Sequence, residues 1–334
     1  LKLQLNLTGN NQANLAGQIY LEGNNLDITP WLEKVLKINS DQIDSSINFK
    51  SWLALKRGSA QTLQLQLGKN TINWQYQSVN HQLRLQQGDI AAQFIDGSEQ
   101  FLLSSSPLSF SLDQQSWQPV VIQLSQQKSV LSAYLSSIQL QDISPLFPLF
   151  SNNKALLAQL ASAKPSGQLH DVFLQKHDDY YDLAAEFDDI TFAYNQGIPG
   201  IEHLSGDVLM SNGRLRLDVK AKQGQLDFDQ HFIRPMPYHY LSATVDGVFD
   251  QTGWKIGTNN LVFNSAELKL TGQAGVTLPT TGLAKLSLFA QLKNIDVKKV
   301  KYYYPQSLMD ESLVTYLNEG LIRGSIPQAT VLFN

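Results

Sequence analysis

Alternation of apolar and polar residues with a period of two runs through most of this chain, and no other feature restricts the fold as much. Aliphatic residues recur at every second position, with Gln, Asn, Lys, Thr or Ser between them, at Leu63/Leu65/Leu67, Leu83/Leu85, Val120/Ile122/Leu124, Leu215/Leu217/Val219, Leu268/Leu270 and Leu286/Leu288/Ala290/Leu292. Successive side chains of a strand leave on opposite faces, so the pattern makes strands with one apolar and one polar face. Turn signals separate the runs: Gly9-Asn10-Asn11, Gly23-Asn24-Asn25, Gly68-Lys69-Asn70, Gln87-Gly88-Asp89, Asp96-Gly97-Ser98, Ser211-Asn212-Gly213 and Gln223-Gly224. Short strands joined by tight turns form an antiparallel meander. Buried parallel strands would read as continuous Val/Ile runs between helices, a pattern absent here.

Composition explains the two faces. The 51 Leu supply one, while 34 Gln and 21 Asn supply the other in place of charge, which is only 16% of residues. A formal net charge of -4 with dispersed Lys and Arg leaves no electrostatic footprint for nucleic acid. With 0 Cys there is no disulfide framework, thiol nucleophile or thiolate metal site. No run reaches the ~18–20 apolar residues of a membrane-spanning helix. The chain opens on Leu1 already in strand alternation, which leads us to expect an excised piece of a longer protein.

Three stretches interrupt the alternation and resemble one another: Leu26-Asp27-Ile28-Thr29-Pro30-Trp31-Leu32 through Leu36, Leu140-Gln141-Asp142-Ile143-Ser144-Pro145-Leu146, and Ile295-Asp296-Val297-Lys298-Lys299-Val300. Each ends a strand in Asp-Ile or Asp-Val and continues into residues suited to a short helix. Further helices are expected near Asn153–Ala163 and over Asp310–Gly320, the latter with an acidic first turn and a glycine end. Strands restart on Gly167 and Gly324, so the units vary in length but repeat in plan. The expected divisions are 1–26, 27–141, 142–295 and 296–334, as the end of one β unit, two units opened by helices, and the start of another.

About twenty strands at ~4.8 Å would extend ~90 Å in the hydrogen-bonding direction, with strands of about seven residues or ~23 Å. One side of such a ribbon is Leu-rich and must leave water. The expected fold is mainly β: a long curved antiparallel sheet whose apolar side is an open groove, with short helices at unit boundaries. The fifteen lining candidates are Leu63, Leu65, Leu67, Leu83, Leu85, Val120, Ile122, Leu124, Leu215, Leu217, Val219, Leu268, Leu270, Leu286 and Leu288. A structural or adhesin-like protein with the same face as an ordinary core is the alternative. An outer-membrane barrel needs strands of ~9–11 residues with aromatic girdles, longer than most strands expected here.

Catalytic constellations are absent by spacing: the six His show neither HExxH nor a Ser/His/Asp arrangement. Asp227, Asp229, His231 and His239 read better as a solvated strand edge than as metal ligands, and so does the acidic run Asp178-Asp179, Asp182, Glu186, Asp188-Asp189. Tyr302-Tyr303-Tyr304 reads as a core anchor. Neither an enzyme nor a cofactor is expected.

Several phrases carry a resemblance: Leu26-Asp27-Ile28-Thr29-Pro30-Trp31-Leu32, Gly197-Ile198-Pro199-Gly200-Ile201-Glu202-His203-Leu204-Ser205-Gly206, Ile233-Arg234-Pro235-Met236-Pro237, and Tyr303-Tyr304-Pro305-Gln306-Ser307-Leu308-Met309 followed by Leu313-Val314-Thr315-Tyr316-Leu317. In order, across nearly the whole chain, they resemble the YhdP branch of the AsmA-like proteins of Gram-negative bacteria. The resemblance implies a periplasmic body of repeating β-grooves on an inner-membrane anchor outside this segment. It implies passage of phospholipids toward the outer membrane, whose permeability barrier is thereby supported. The implied partners are phospholipid acyl chains, adjoining segments of the same longer chain, and membrane proteins at the ends of the bridge. The family brings no catalytic residues.

Overall fold

The computed structural model describes residues 1–35, 43–76, 78–95, 99–151, 153–195, 198–281 and 285–333. The turn expected at Asp96-Gly97-Ser98, and Leu36 and Gly197 of the phrases above, lie outside them. The fold is mainly β: among the described residues, 21 strands form an open, antiparallel hydrogen-bonded sheet. Its contacts divide into two units, Leu1–Leu157 with His170–Tyr181, and Ala158–Leu169 with Asp182–Asn334.

The first unit holds β1 (Lys2–Thr8), β2 (Ala16–Leu26), the helix α1 (Thr29–Val35), β3 (Ile43–Lys56), β4 (Ser59–Leu67), β5 (Asn70–Tyr76), β6 (Val79–Leu85), β7 (Gly88–Ile95), β8 (Gln100–Ser105), β9 (Phe110–Leu112), β10 (Gln115–Ser116), β11 (Ile122–Gln127) and β12 (Val130–Gln139). The helices α2 (Ile143–Phe150) and α3 (Lys154–Ala163) and strand β13 (Ser166–Lys176) follow. The principal sheet here runs β1-β2-β3-β4-β7-β8-β11-β12. It branches at β3: Ile43–Ser46 pair with β5, while Phe49–Lys56 pair with β4. The branch continues β5-β6-β9-β10.

This branch has its own core. Ile43, Trp74, Leu112 and Leu149 are buried together, with Leu32, Ile72, Leu83, Trp117 and Leu146 packed around them. The Trp74 indole donates a 3.1 Å hydrogen bond to the Pro145 carbonyl, fastening α2 to β5. At the start of α1 the Asp27 carboxylate accepts from the Thr29 N–H at 2.8 Å, satisfying one of the amides a helix leaves open.

The second unit is a plain meander: β14 (Tyr181–Phe192), β15 (Gly200–Ser211), β16 (Arg214–Asp227), β17 (Met236–Asp250), β18 (Gly253–Asn264), β19 (Lys269–Pro279), β20 (Lys285–Asp296) and β21 (Ser325–Phe333), each paired with the next. Helix α4 (Glu311–Gly320) lies in the last connection, its Asp310 side chain accepting from the Ser312 N–H at 2.9 Å. The strands correct the expected length, since β16 has 14 residues and β17 has 15. Alternation changes phase where a bulge inserts a residue, so one bent strand reads in sequence as two short ones. Register shifts of this kind fall at Phe187/Ile190, Ile201/Leu204, Ser242/Val245 and Thr258/Leu261. Asp189, His203 and Gln223 stand near them at φ 54, 57 and 54. In the third interruption β20 ends on Ile295-Asp296 and the chain continues into the 3-10 helix Val300–Tyr302.

Backbone approach between strands is close. A Cβ on Gly206, whose φ is 156, would lie 1.9 Å from the Asp218 carbonyl oxygen of the neighbouring strand. That position admits no side chain without moving β15 from β16.

Candidate functional site

Register converts the alternation into continuous rows. In the first unit Leu5 stands opposite Ile19, Ile19 opposite Leu53, Leu53 opposite Leu63, Leu63 opposite Ala92, Ala92 opposite Leu103, Leu103 opposite Leu124, and Leu124 opposite Ala133. Eight strands thus contribute one aliphatic side chain each to a line running across them, ~34 Å long at ~4.8 Å per strand. One residue away on the same strands, the other face carries Gln4, Tyr20, Trp52, Gln64, Ala91, Ser104, Gln123 and Tyr134.

The second unit has rows of the same kind. Ile190, Leu204, Ala221, Leu241, Phe263, Leu270, Leu292 and Ala329 are successive opposites from β14 to β21. Farther along the strands a parallel row reads Ala185, Val208, Leu217, Val245, Thr258, Ala274, Leu288 and Phe333. These rows differ in cover. The first belongs to a closed core in which Tyr238, Leu268 and Ile295 are buried and Val300 and Tyr303 pack from the β20–β21 connection. Beyond it the face opens: Leu217, Val245 and Leu288 are half-buried, while Leu286 is 46% exposed.

The lining candidates therefore separate. Leu63, Leu65, Leu67, Ile122 and Leu124 share the apolar face of the principal sheet in the first unit; Leu215, Leu217, Val219, Leu286 and Leu288 share that of the second. Leu83 and Leu85 lie instead on the branch strand β6, where Leu83 packs into the Trp74 core. Val120 is buried in an isolated bridge to Leu108. Leu268 is buried in the second unit's core, and Leu270 packs against it. Met210, Val245 and Val276 share the open rows but stood outside the candidates, because their strands carry Gly or Thr at alternate places, as in Val245-Asp246-Gly247.

One polar cluster closes the covered end of the second unit. The Glu267 carboxylate accepts from Arg234 Nη2 at 2.9 and 3.1 Å, from Lys299 Nζ at 3.2 Å and from the Tyr303 hydroxyl. Burial works to raise the Glu267 carboxyl, and the hydrogen bonds from Tyr303, Arg234 and Lys299 outweigh it, holding the group below its usual value. Burial first, and the Glu267 hydrogen bond second, push the Tyr303 phenol up to about 12. The Arg234 guanidinium also lies 4.0 Å from the Tyr302 ring centroid. Elsewhere Asp227 accepts from the Asp229 N–H at 2.9 Å, and His231 Nδ1 lies 2.9 Å from the Ser307 hydroxyl. No group of three or more His, Asp or Glu suited to a metal ion occurs among the described residues.

A family model described as YhdP protein matches residues 1–334. The chain belongs to the YhdP family. Over 334 residues it is 20% identical to the intermembrane phospholipid transporter YhdP of Escherichia coli (strain K12), an alignment covering 95% of this chain and 26% of that relative. The chain thus spans about a quarter of the relative's length. No solved structure matches it. Two phrases that carry the YhdP resemblance, those containing Arg234 and Tyr303, meet on Glu267 and close the covered end. No helix among the described residues is long and apolar enough to cross a membrane.

Proposed function

We propose that this chain is a segment of a periplasmic, bridge-like phospholipid carrier, anchored in the inner membrane by another part of the protein, in which the apolar face of each unit forms a groove for acyl chains. Lipids then pass toward the outer membrane and support its barrier. The observation that carries this reading is the register of apolar side chains across eight strands in each unit, aliphatic throughout in the first and interrupted by Thr258 alone in the open row of the second. Membership of the YhdP family, and the similarity to the intermembrane phospholipid transporter of Escherichia coli, support phospholipid as the lipid class.

The physics is passive and non-enzymatic. Each buried CH₂ is stabilised by ~0.8 kcal/mol wherever it lies along a uniform apolar track, so displacement along the track changes the free energy little. Direction has to be imposed from the ends. A sandwich core would need a covering layer over the open rows; in the second unit the described cover lies over the Leu241–Phe263 row.

Neighbouring residues on opposite faces make the test. A benzophenone amino acid placed at Leu217, or at Leu63, is expected to yield phospholipid adducts on irradiation of cells making the full-length protein. The same probe at Asp218 or Gln64 is expected to yield none. Equal labelling of both faces, or none at Leu217 and Leu63, would overturn the reading.

A further inference from the structure

The two ends of the strands in the second unit are unlike. At one end the apolar face is shut by Val300 and Tyr303 over Leu241 and Phe263. At the other it finishes on an exposed rung, with Phe249 opposite Trp254 and Trp254 opposite Leu278. Phe249 is 49% and Trp254 39% exposed, and their rings lie 4.7 Å apart beside the β17–β18 hairpin. One rung inward, on the opposite face, Arg214, Lys255 and Lys285 occupy alternate strands of one cross-strand row, with Val248 and Thr277 between them. These three cations outnumber the hairpin's acid, Asp250, whose carboxylate is engaged by the Thr252 N–H at 2.7 Å.

This arrangement has the chemistry of a membrane interface. Trp places an apolar ring against hydrocarbon and an N–H against water, and long cationic side chains turn their heads toward phosphate. Distance agrees as well. From Leu241 to Phe249 β17 spans about 26 Å at ~3.3 Å per residue, room for the ~15 Å hydrocarbon depth of one leaflet. The first unit, taken by itself, carries a similar pair: Phe94 stands opposite Phe101, with Lys56 ending β3 and Arg57 and Lys128 in turns at that end.

Resting on the acyl-chain reading above, we propose that phospholipids lie along the strands of the second unit, with acyl tails toward the Tyr303-covered end and phosphate headgroups crossing the Phe249/Trp254 rim. Trp254 then sits at the boundary between hydrocarbon and headgroup, and all lipids on the face share one polarity.

Trp254 is the second unit's single Trp, and the chain has 0 Cys, so both ends of the face can be addressed with small fluorine reporters. The full chain is labelled with 5-fluorotryptophan, the Trp254 signal being assigned by Trp254→Phe. A Leu217→Cys variant, or Val245→Cys if that one does not fold, carries a trifluoroethyl tag. Phosphatidylcholine bearing a nitroxide on the headgroup, near the carboxyl end of the acyl chain, or near its methyl end is then added. The expected result is loss of the Trp254 signal with the first two probes and its survival with the third. The tag at Leu217 should lose signal chiefly with the acyl-chain probes. Loss at the tag without loss at Trp254, or losses at Trp254 independent of nitroxide position, overturns the rim assignment. Survival of both signals with every probe overturns the acyl-chain reading itself.

Discussion

Glu267 shows how one carboxylate can fix the shape of a long apolar face. It is 13% exposed, joins the β18–β19 turn to Arg234 and to Tyr303, and stays ionised because three donors outweigh its burial. A carboxyl held below its ordinary value contributes stability that is complete above that value and is lost as pH falls through the lowered one. Glu267→Gln is therefore expected to cost about 2 kcal/mol at neutral pH and to flatten the acid limb of the stability curve, measured by urea unfolding across pH. Asp142 behaves oppositely. It is 5% exposed at the head of α2, and its Oδ2 has no hydrogen-bond partner among the described residues. Burial raises this carboxyl, and the charge of Asp113 raises it further; the Trp117 indole offsets part of the rise without making a hydrogen bond of normal geometry. Its folded form holds a proton longer than the unfolded one, so stability falls as pH rises through the ordinary aspartate range. Asp142→Asn is expected to stabilise by about 1 kcal/mol at neutral pH and by nothing in strong acid, read from urea midpoints at the two pH values.

Among the elements, bulges bend the second unit's strands where its cover begins. The shifts at Phe187/Ile190, Ile201/Leu204, Ser242/Val245 and Thr258/Leu261 all fall within a few residues of the Leu241–Phe263 row. His203 takes φ 57, with its Nδ1 2.6 Å from Asp189, itself at φ 54. A β-branched residue resists this backbone region by about 1–2 kcal/mol, whereas glycine accepts it. His203→Val is expected to lose that amount in urea unfolding and His203→Gly much less, since the exposed His203–Asp189 pair adds little. These bulges also mark what the sequence could and could not disclose. Alternation exposed the strands and their two faces because period two is a local property. Leu83 and Leu63 have near-identical neighbourhoods in the chain, yet one enters the α2 core and the other the principal sheet. The difference lies in pairing β6 with β9 and β4 with β7, choices made between segments far apart in sequence. Val120, bridged to Leu108, and Leu268, in the second unit's core, are both buried, which alternation alone does not disclose.

For the molecule as a whole, each unit presents an aliphatic face whose side chains are replaceable singly in size but not in polarity. Leu217→Asp places a charge in an open row where a bound acyl chain would strip its water, at a cost of several kcal/mol. Native mass spectrometry of the full chain is expected to find fewer bound phospholipids in Leu217→Asp than in wild type, with Leu217→Met unchanged. Gln64→Asp, on the polar face of the first unit, is expected to retain the full complement.

The level rows carry a consequence for motion. Along each strand same-face side chains repeat every ~6.6 Å; seen along the strands the face is a comb, its teeth ~4.8 Å apart. Since carbons in contact stand ~4 Å apart, neighbouring teeth nearly touch, and a methylene chain rests in the shallow furrow above one gap between them. A guest lying parallel to the strands would thus advance by hops from gap to gap, and tooth height would set its friction. Low teeth at Ala92 and Ala133, Ala185 and Ala274 make the comb uneven, so its drag would vary from strand to strand while its wetting stayed uniform.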